Sequence, residues 1–130
     1  MFVNISSNDK VKESDYISDC FVRPNGTGFS INMALAKLIT KNYSNSNYSH
    51  IYFKIDKDSE NKLLKFTPTK DRVGNFRGII TTISCHCSRI SVPGRVMSVI
   101  HKDMDYVRLY VKEIEIDEKT QKLKSFIVGY

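Results

Sequence analysis

Nowhere in its 130 residues does the chain carry the roughly 18 consecutive apolar residues that a membrane span requires. Its start, Met1-Phe2-Val3-Asn4-Ile5-Ser6, turns polar at once and lacks a basic flank ahead of a long apolar stretch, so no signal peptide is expected. Without export, the Asn-x-Ser/Thr sequons at Asn4, Asn25, Asn42 and Asn47 read as by-products of an Asn- and Ser-rich chain. Cysteine is scarce and odd in number, at three, which predicts reduced thiols in a cytoplasmic protein rather than a disulfide framework. Catalytic signatures are missing too. There is no H-E-x-x-H, G-x-S-x-G or P-loop pattern, and a non-enzyme is expected. Cys85-His86-Cys87 is the one local group of metal-type ligands. On a strand, Cys85 and Cys87 share a face while His86 points away, and one spacer is too short for the usual zinc pairing. No metal and no cofactor are expected.

Carboxylates are absent from two long stretches, and this absence says most about function. Between Asp19 and Asp56 the chain has Arg23, Lys37, Lys41 and Lys54 but no acid. Between Asp71 and Asp103 it has Arg72, Arg77, Arg89, Arg95 and Lys102, again with no acid. The acids crowd at the N-terminus, in Asp56-Lys57-Asp58-Ser59-Glu60 and in Glu113-Ile114-Glu115-Ile116-Asp117-Glu118. A surface that meets phosphates must be free of carboxylates, because they repel the same charge. The net charge of +6 also favours anionic partners. Lysine outnumbers arginine more than two to one, and Asn, Ile, Ser and Tyr are plentiful, as in chains from AT-rich bacterial or phage genomes.

With 41% hydrophobic and 26% charged residues, the length suits a single domain, 1–130, with a polar N-terminal segment 1–15. Inside it, the run from Ser30 to Lys41 can be laid over the run from Ser91 to Lys102 without a gap. Leu35, Leu38 and Ile39 then match Val96, Val99 and Ile100, one apolar face of a short helix. Asn32 is placed as an N-cap and Pro93 as a first helical residue. Each helix is followed by an alternating strand, Ile51–Ile55 or Val107–Val111, and an acidic hairpin tip. The expected fold is therefore α+β and β-rich: two tandem strand-strand-helix-hairpin repeats, approximately 16–67 and 78–128, forming one small barrel or sandwich-like domain.

The stretch Arg89-Ile90-Ser91-Val92-Pro93-Gly94-Arg95-Val96-Met97-Ser98-Val99-Ile100, followed by a hairpin, resembles the AbrB/MazE-like swapped-hairpin family. The first half departs from that pattern, with Asn32 where the family has proline and Lys37 later than the family's basic residue. The resemblance implies DNA binding by interleaved modules in a homo-oligomer, with contacts carried over to Arg95 and then Arg89.

The expected function is a small non-enzymatic nucleic-acid-binding regulator, bacterial or phage, with DNA favoured over RNA. Arg23, Lys37, Arg72, Arg77, Arg89 and Arg95 are the expected phosphate contacts. Tyr52 and Tyr110 sit in the polar phase of their strands, near Lys54 and Arg108, where a ring can stack on a base. The rival expectations are a phage counter-defence protein that binds a host protein or sequesters an anionic signalling nucleotide, and a structural or assembly subunit. The loop Pro24-Asn25-Gly26-Thr27-Gly28 reads as a hairpin turn, with a phosphate-cradling loop as the alternative.

Overall fold

Alternation of apolar and polar residues makes strands the main element of this chain. In a computed structural model, which describes residues 19–41, 48–83, 88–100, 104 and 108–130, eight strands and two short helices form. The strands are β1 (Phe21–Asn25), β2 (Gly28–Ile31), β3 (Tyr48–Asp58), β4 (Leu63–Thr69), β5 (Phe76–Thr81), β6 (Arg89–Ser91), β7 (Leu109–Ile116) and β8 (Leu123–Gly129). The helices are α1 (Met33–Thr40), between β2 and β3, and α2 (Gly94–Ile100), between β6 and β7. No helix among the described residues is long and apolar enough to cross a membrane.

The strands close into one antiparallel barrel in the order β1-β2-β6-β5-β3-β4-β8-β7. This overturns the expected division into two tandem strand-strand-helix-hairpin repeats, although the chain is β-rich. Half of the pairings, β1–β7, β2–β6, β3–β5 and β4–β8, join strands from the two halves of the chain. A four-stranded half would expose two unpaired edges and one bare apolar face, and closure removes both. The two strand prolines respect this scheme. Pro24 and Pro68 lie beyond the residues through which β1 pairs with β7 and β4 with β8, where no ladder N–H is needed.

The interior is filled from every strand. Phe29, Phe53, Phe66 and Phe126 are fully buried with Leu64, Ile80, Ile90 and Leu109. The Phe66 ring stacks on Phe126 at 4.9 Å and meets the edge of Phe29 at 5.1 Å. Eight strands enclose just enough room for side chains, and these rings take it. Gly78 is part of the same packing, since a Cβ there would come within 2.4 Å of the Phe53 ring.

Helix α1 packs Leu35, Ala36 and Ile39 against the barrel, alongside β5 and β8. The N-cap expected at Asn32 is present. Its Oδ1 accepts the N–H of Leu35 at 3.2 Å and of Phe21 at 3.1 Å, and its Nδ2 donates to the Asp19 carbonyl at 2.6 Å. One side chain thus starts the helix and ties it to β1. Helix α2 begins after Pro93, whose carbonyl accepts from Val96 and Met97. It ends against Lys57 of β3, whose Nζ donates to the carbonyls of Ile100 at 3.0 Å and Val99 at 3.4 Å. A cation at the last carbonyls complements the negative end of the helix.

Two further contacts shape the rim. Buried Ser88 accepts the Thr81 N–H at 3.0 Å and donates to the Thr81 carbonyl at 2.9 Å, standing in for a ladder partner where β5 hands over to β6. The tips of both long hairpins are acidic. Asp58 is held below the usual carboxylate range by the side chain and then the backbone of Asn61, and Asp117 by the N–H groups of Thr120 and Lys119.

Candidate nucleic-acid interface

Because antiparallel neighbours place paired residues on the same face, the register assigns the arginines to one surface. Arg23 on β1 pairs with Ser30 on β2, and Ser30 pairs with Arg89 on β6. Arg89 pairs with Ile79 on β5, and Arg77 lies two residues along the same strand. Opposite Ile79 and Arg77 stand His50 and Tyr52 of β3. Arg23, Arg77 and Arg89 are all exposed, with about 10 Å between the Cα positions of Arg23 and Arg89, two strand spacings. The Arg77 guanidinium reaches His50 Nδ1 at 3.4 Å, and since arginine only donates, that ring nitrogen accepts.

This surface has no acid. The outward residues of β1, β2, β6 and β5 include no carboxylate, and among the described residues Arg23, Arg77 and Arg89 have no ion-pair partner. The opposite side of the barrel is mixed. Asp56 there pairs with Lys65 across β3 and β4, and Glu115 of β7 lies 3.2 Å from Lys124 of β8. The two acid-free stretches, remote in sequence, thus become neighbouring strands of one wall.

A groove of about 650 Å³ opens in this wall. Asn25, Thr27, Ser30, Arg89 and Ser91 give it polar edges, while Ile90, Val92 and Pro93 supply apolar lining. Its shape depends on close approach of two backbones. The Val92 N–H donates to the Thr27 carbonyl at 2.9 Å, and Gly28, at φ +138°, lies where a Cβ would fall 1.9 Å from the Ile90 carbonyl oxygen. Only glycine fits that position. Asn25 closes the turn by accepting the N–H and the hydroxyl of Thr27, both at 2.8 Å, so the loop from Pro24 to Gly28 is a hairpin turn, as its composition indicated. A second hollow, about 200 Å³, lies beyond Ser30 and is lined by Phe21, Arg23 and Asn32.

Aromatic rings border the wall on both sides. Tyr110 of β7 pairs with Phe21 of β1, with ring centres 5.5 Å apart, and the Arg108 guanidinium lies 4.7 Å over the Phe21 ring. Tyr110 is 47% exposed, and Tyr52 is half-buried beside Arg77. The other expected contacts sit off the strands: Lys37 on α1, Arg95 on α2 and Arg72 in the connection from β4 to β5, all exposed. Cys85-His86-Cys87, Lys102 and the segment 1–15 lie outside the described residues. The sequence reading passed over Phe21, Ser30 and Ser91, did not place His50 on this surface, and took Asn25 only as part of a hairpin turn or phosphate-cradling loop. Phe21 alone carried a signal, since it shares the outward phase of Arg23.

Cys20 lies behind this wall and is 2% exposed. Burial, and then the neighbouring Asp19 carboxylate, push its thiol up to about 11 from 9.0. The folded state therefore keeps its proton when the unfolded chain has lost it. This contribution to stability is present in full below pH 9 and is lost as pH rises from 9 through 11. In a Cys85→Ser/Cys87→Ser background, iodoacetamide at pH 8 is expected to leave Cys20 intact in the native protein and to alkylate it once urea is added. Rapid native alkylation would show that the thiol is accessible.

No family model, no curated protein and no solved structure matches this chain.

Proposed function

We propose that the chain is a non-enzymatic nucleic-acid-binding barrel with a regulatory role, DNA being the favoured ligand. The observation that carries this reading is the carboxylate-free wall of β1, β2, β6 and β5, on which Arg23, Arg77 and Arg89 stand without ion-pair partners among the described residues. Unneutralised guanidinium groups on an acid-free surface attract a polyanion and release its counterions on binding. The barrel interior is packed with phenylalanine, so the ligand meets the outer face. The likeness of Arg89–Ile100 to AbrB/MazE-like modules points to the same ligand class.

The test is binding of labelled DNA, single- and double-stranded, over a salt series. Affinity is expected to fall steeply and linearly on logarithmic axes as salt rises. Absence of binding at low salt would overturn the reading. The groove supports a second reading, in which the ligand is a free anionic nucleotide held beside Arg89, because about 650 Å³ falls in the range of small-ligand sites. Mass spectrometry of small molecules released from protein purified out of cells distinguishes the two.

A further inference from the structure

We infer that the wall takes a single strand rather than a duplex, and that one unpaired nucleotide enters the groove between the β1–β2 turn and the β6–α2 connection. This rests on the nucleic-acid reading above and names the form of its ligand.

A nucleobase has flat apolar faces and a rim of hydrogen-bonding groups, and the groove has the matching distribution. Pro93, exposed at the groove's edge, offers apolar contact, and the buried Ile90 and Val92 line it from the core side. The Ser30 and Ser91 hydroxyls, the Asn25 amide and the Arg89 guanidinium stand around them. The Asn25 side-chain oxygen is engaged by Thr27, which fixes the orientation of the amide and leaves its NH₂ as the remaining donor. In a duplex the base's Watson–Crick edge belongs to its complement and its faces to its neighbours, so only an unpaired base presents both to a recessed site.

The groove also lies on a track. Ser30 borders both the groove and the smaller hollow, and Phe21, which lines the hollow, pairs with Tyr110. A strand laid along this line places one base in the groove and another on the aromatic pair, with its phosphates over Arg23 and Arg89. Aromatic stacking is open to every base and to single strands above all.

The test compares a labelled 20-nucleotide single strand with its own duplex at equal ionic strength, using the whole chain and a Ser91→Leu variant. Ser91 is exposed and lines the groove, so a branched aliphatic side chain there obstructs it without entering the core and without offering a ring to stack on. The wild-type protein is expected to favour the single strand by about tenfold or more, the value of about one stacked and recognised base. Ser91→Leu is expected to bring the two affinities within about twofold. If circular dichroism shows that this variant does not fold, Ser91→Met is read in its place. Equal or tighter duplex binding by the wild type, or a preference that survives obstruction of the groove, overturns the inference while the nucleic-acid reading stands. Failure of both ligands to bind at low salt overturns the two together.

Discussion

Replacing Arg23, Arg77 and Arg89 together with alanine is expected to lower affinity for a single-stranded oligonucleotide by about a hundredfold or more at low salt. Three phosphate contacts also account for about 2 units of the slope of log affinity against log salt, at ~0.7 per contact for single strands, and the variant should lose that part. The control is matched in charge. Lys37→Ala, Arg72→Ala and Arg95→Ala together remove the same three positive charges, from two helices and a connection rather than from the wall. If net charge alone attracts the ligand, the two triple variants fall together. If the wall is the site, the control loses less than about tenfold and keeps most of its slope. Equal losses would mean that no one face is preferred, and a larger loss in the control would move the contact surface towards the helices, where Arg95 lies. All six side chains are exposed, so each variant should fold as the parent does.

The largest expected effect on stability belongs to Phe66→Ala. The ring is fully buried, stacked on Phe126 and in edge contact with Phe29, so its loss leaves a cavity in the middle of the barrel. Phenylalanine-to-alanine changes in such sites cost about 3–5 kcal/mol, a large share of the roughly 5–15 kcal/mol that holds a small domain folded. Urea denaturation measures the change. Phe66→Leu, which keeps most of the volume but loses the stacking geometry, should cost clearly less. A cost under about 1 kcal/mol for the alanine variant would mean that the interior does not depend on these rings. Either variant, while folded, should bind nucleic acid as the parent does, because the ring lies inside and the wall outside.

These two expectations draw on different levels of the molecule. Local features were legible in the chain: the alternation that makes β3 and β7, the Asn32 cap, the turn at Asn25–Gly28 and the acidic hairpin tips. Each depends on residues within a few positions of one another, where backbone geometry and side-chain chemistry act directly. The scarcity of acids in two stretches was equally plain, and it marked Arg23, Arg77 and Arg89 as candidates before any strand was paired.

Which strands meet was not legible, and the expected tandem repeats failed there. Backbone hydrogen bonds are the same for every residue, so a strand's own pattern says which face is buried but not whose edge lies beside it. Pairing is decided by whether all eight strands can satisfy both edges at once, and here that condition sends β2 to β6 and β5 to β3. The groove has the same origin. Its two rims, at Asn25–Thr27 and Ser91–Pro93, are far apart in sequence and are joined through the Val92 N–H to the Thr27 carbonyl. The sequence alone determined that this chain would be β-rich, through its alternation, and basic and free of acid in two stretches, through the number and order of its charges. Closure of the barrel decided that those stretches form a single wall, because only closure gives every strand edge a partner.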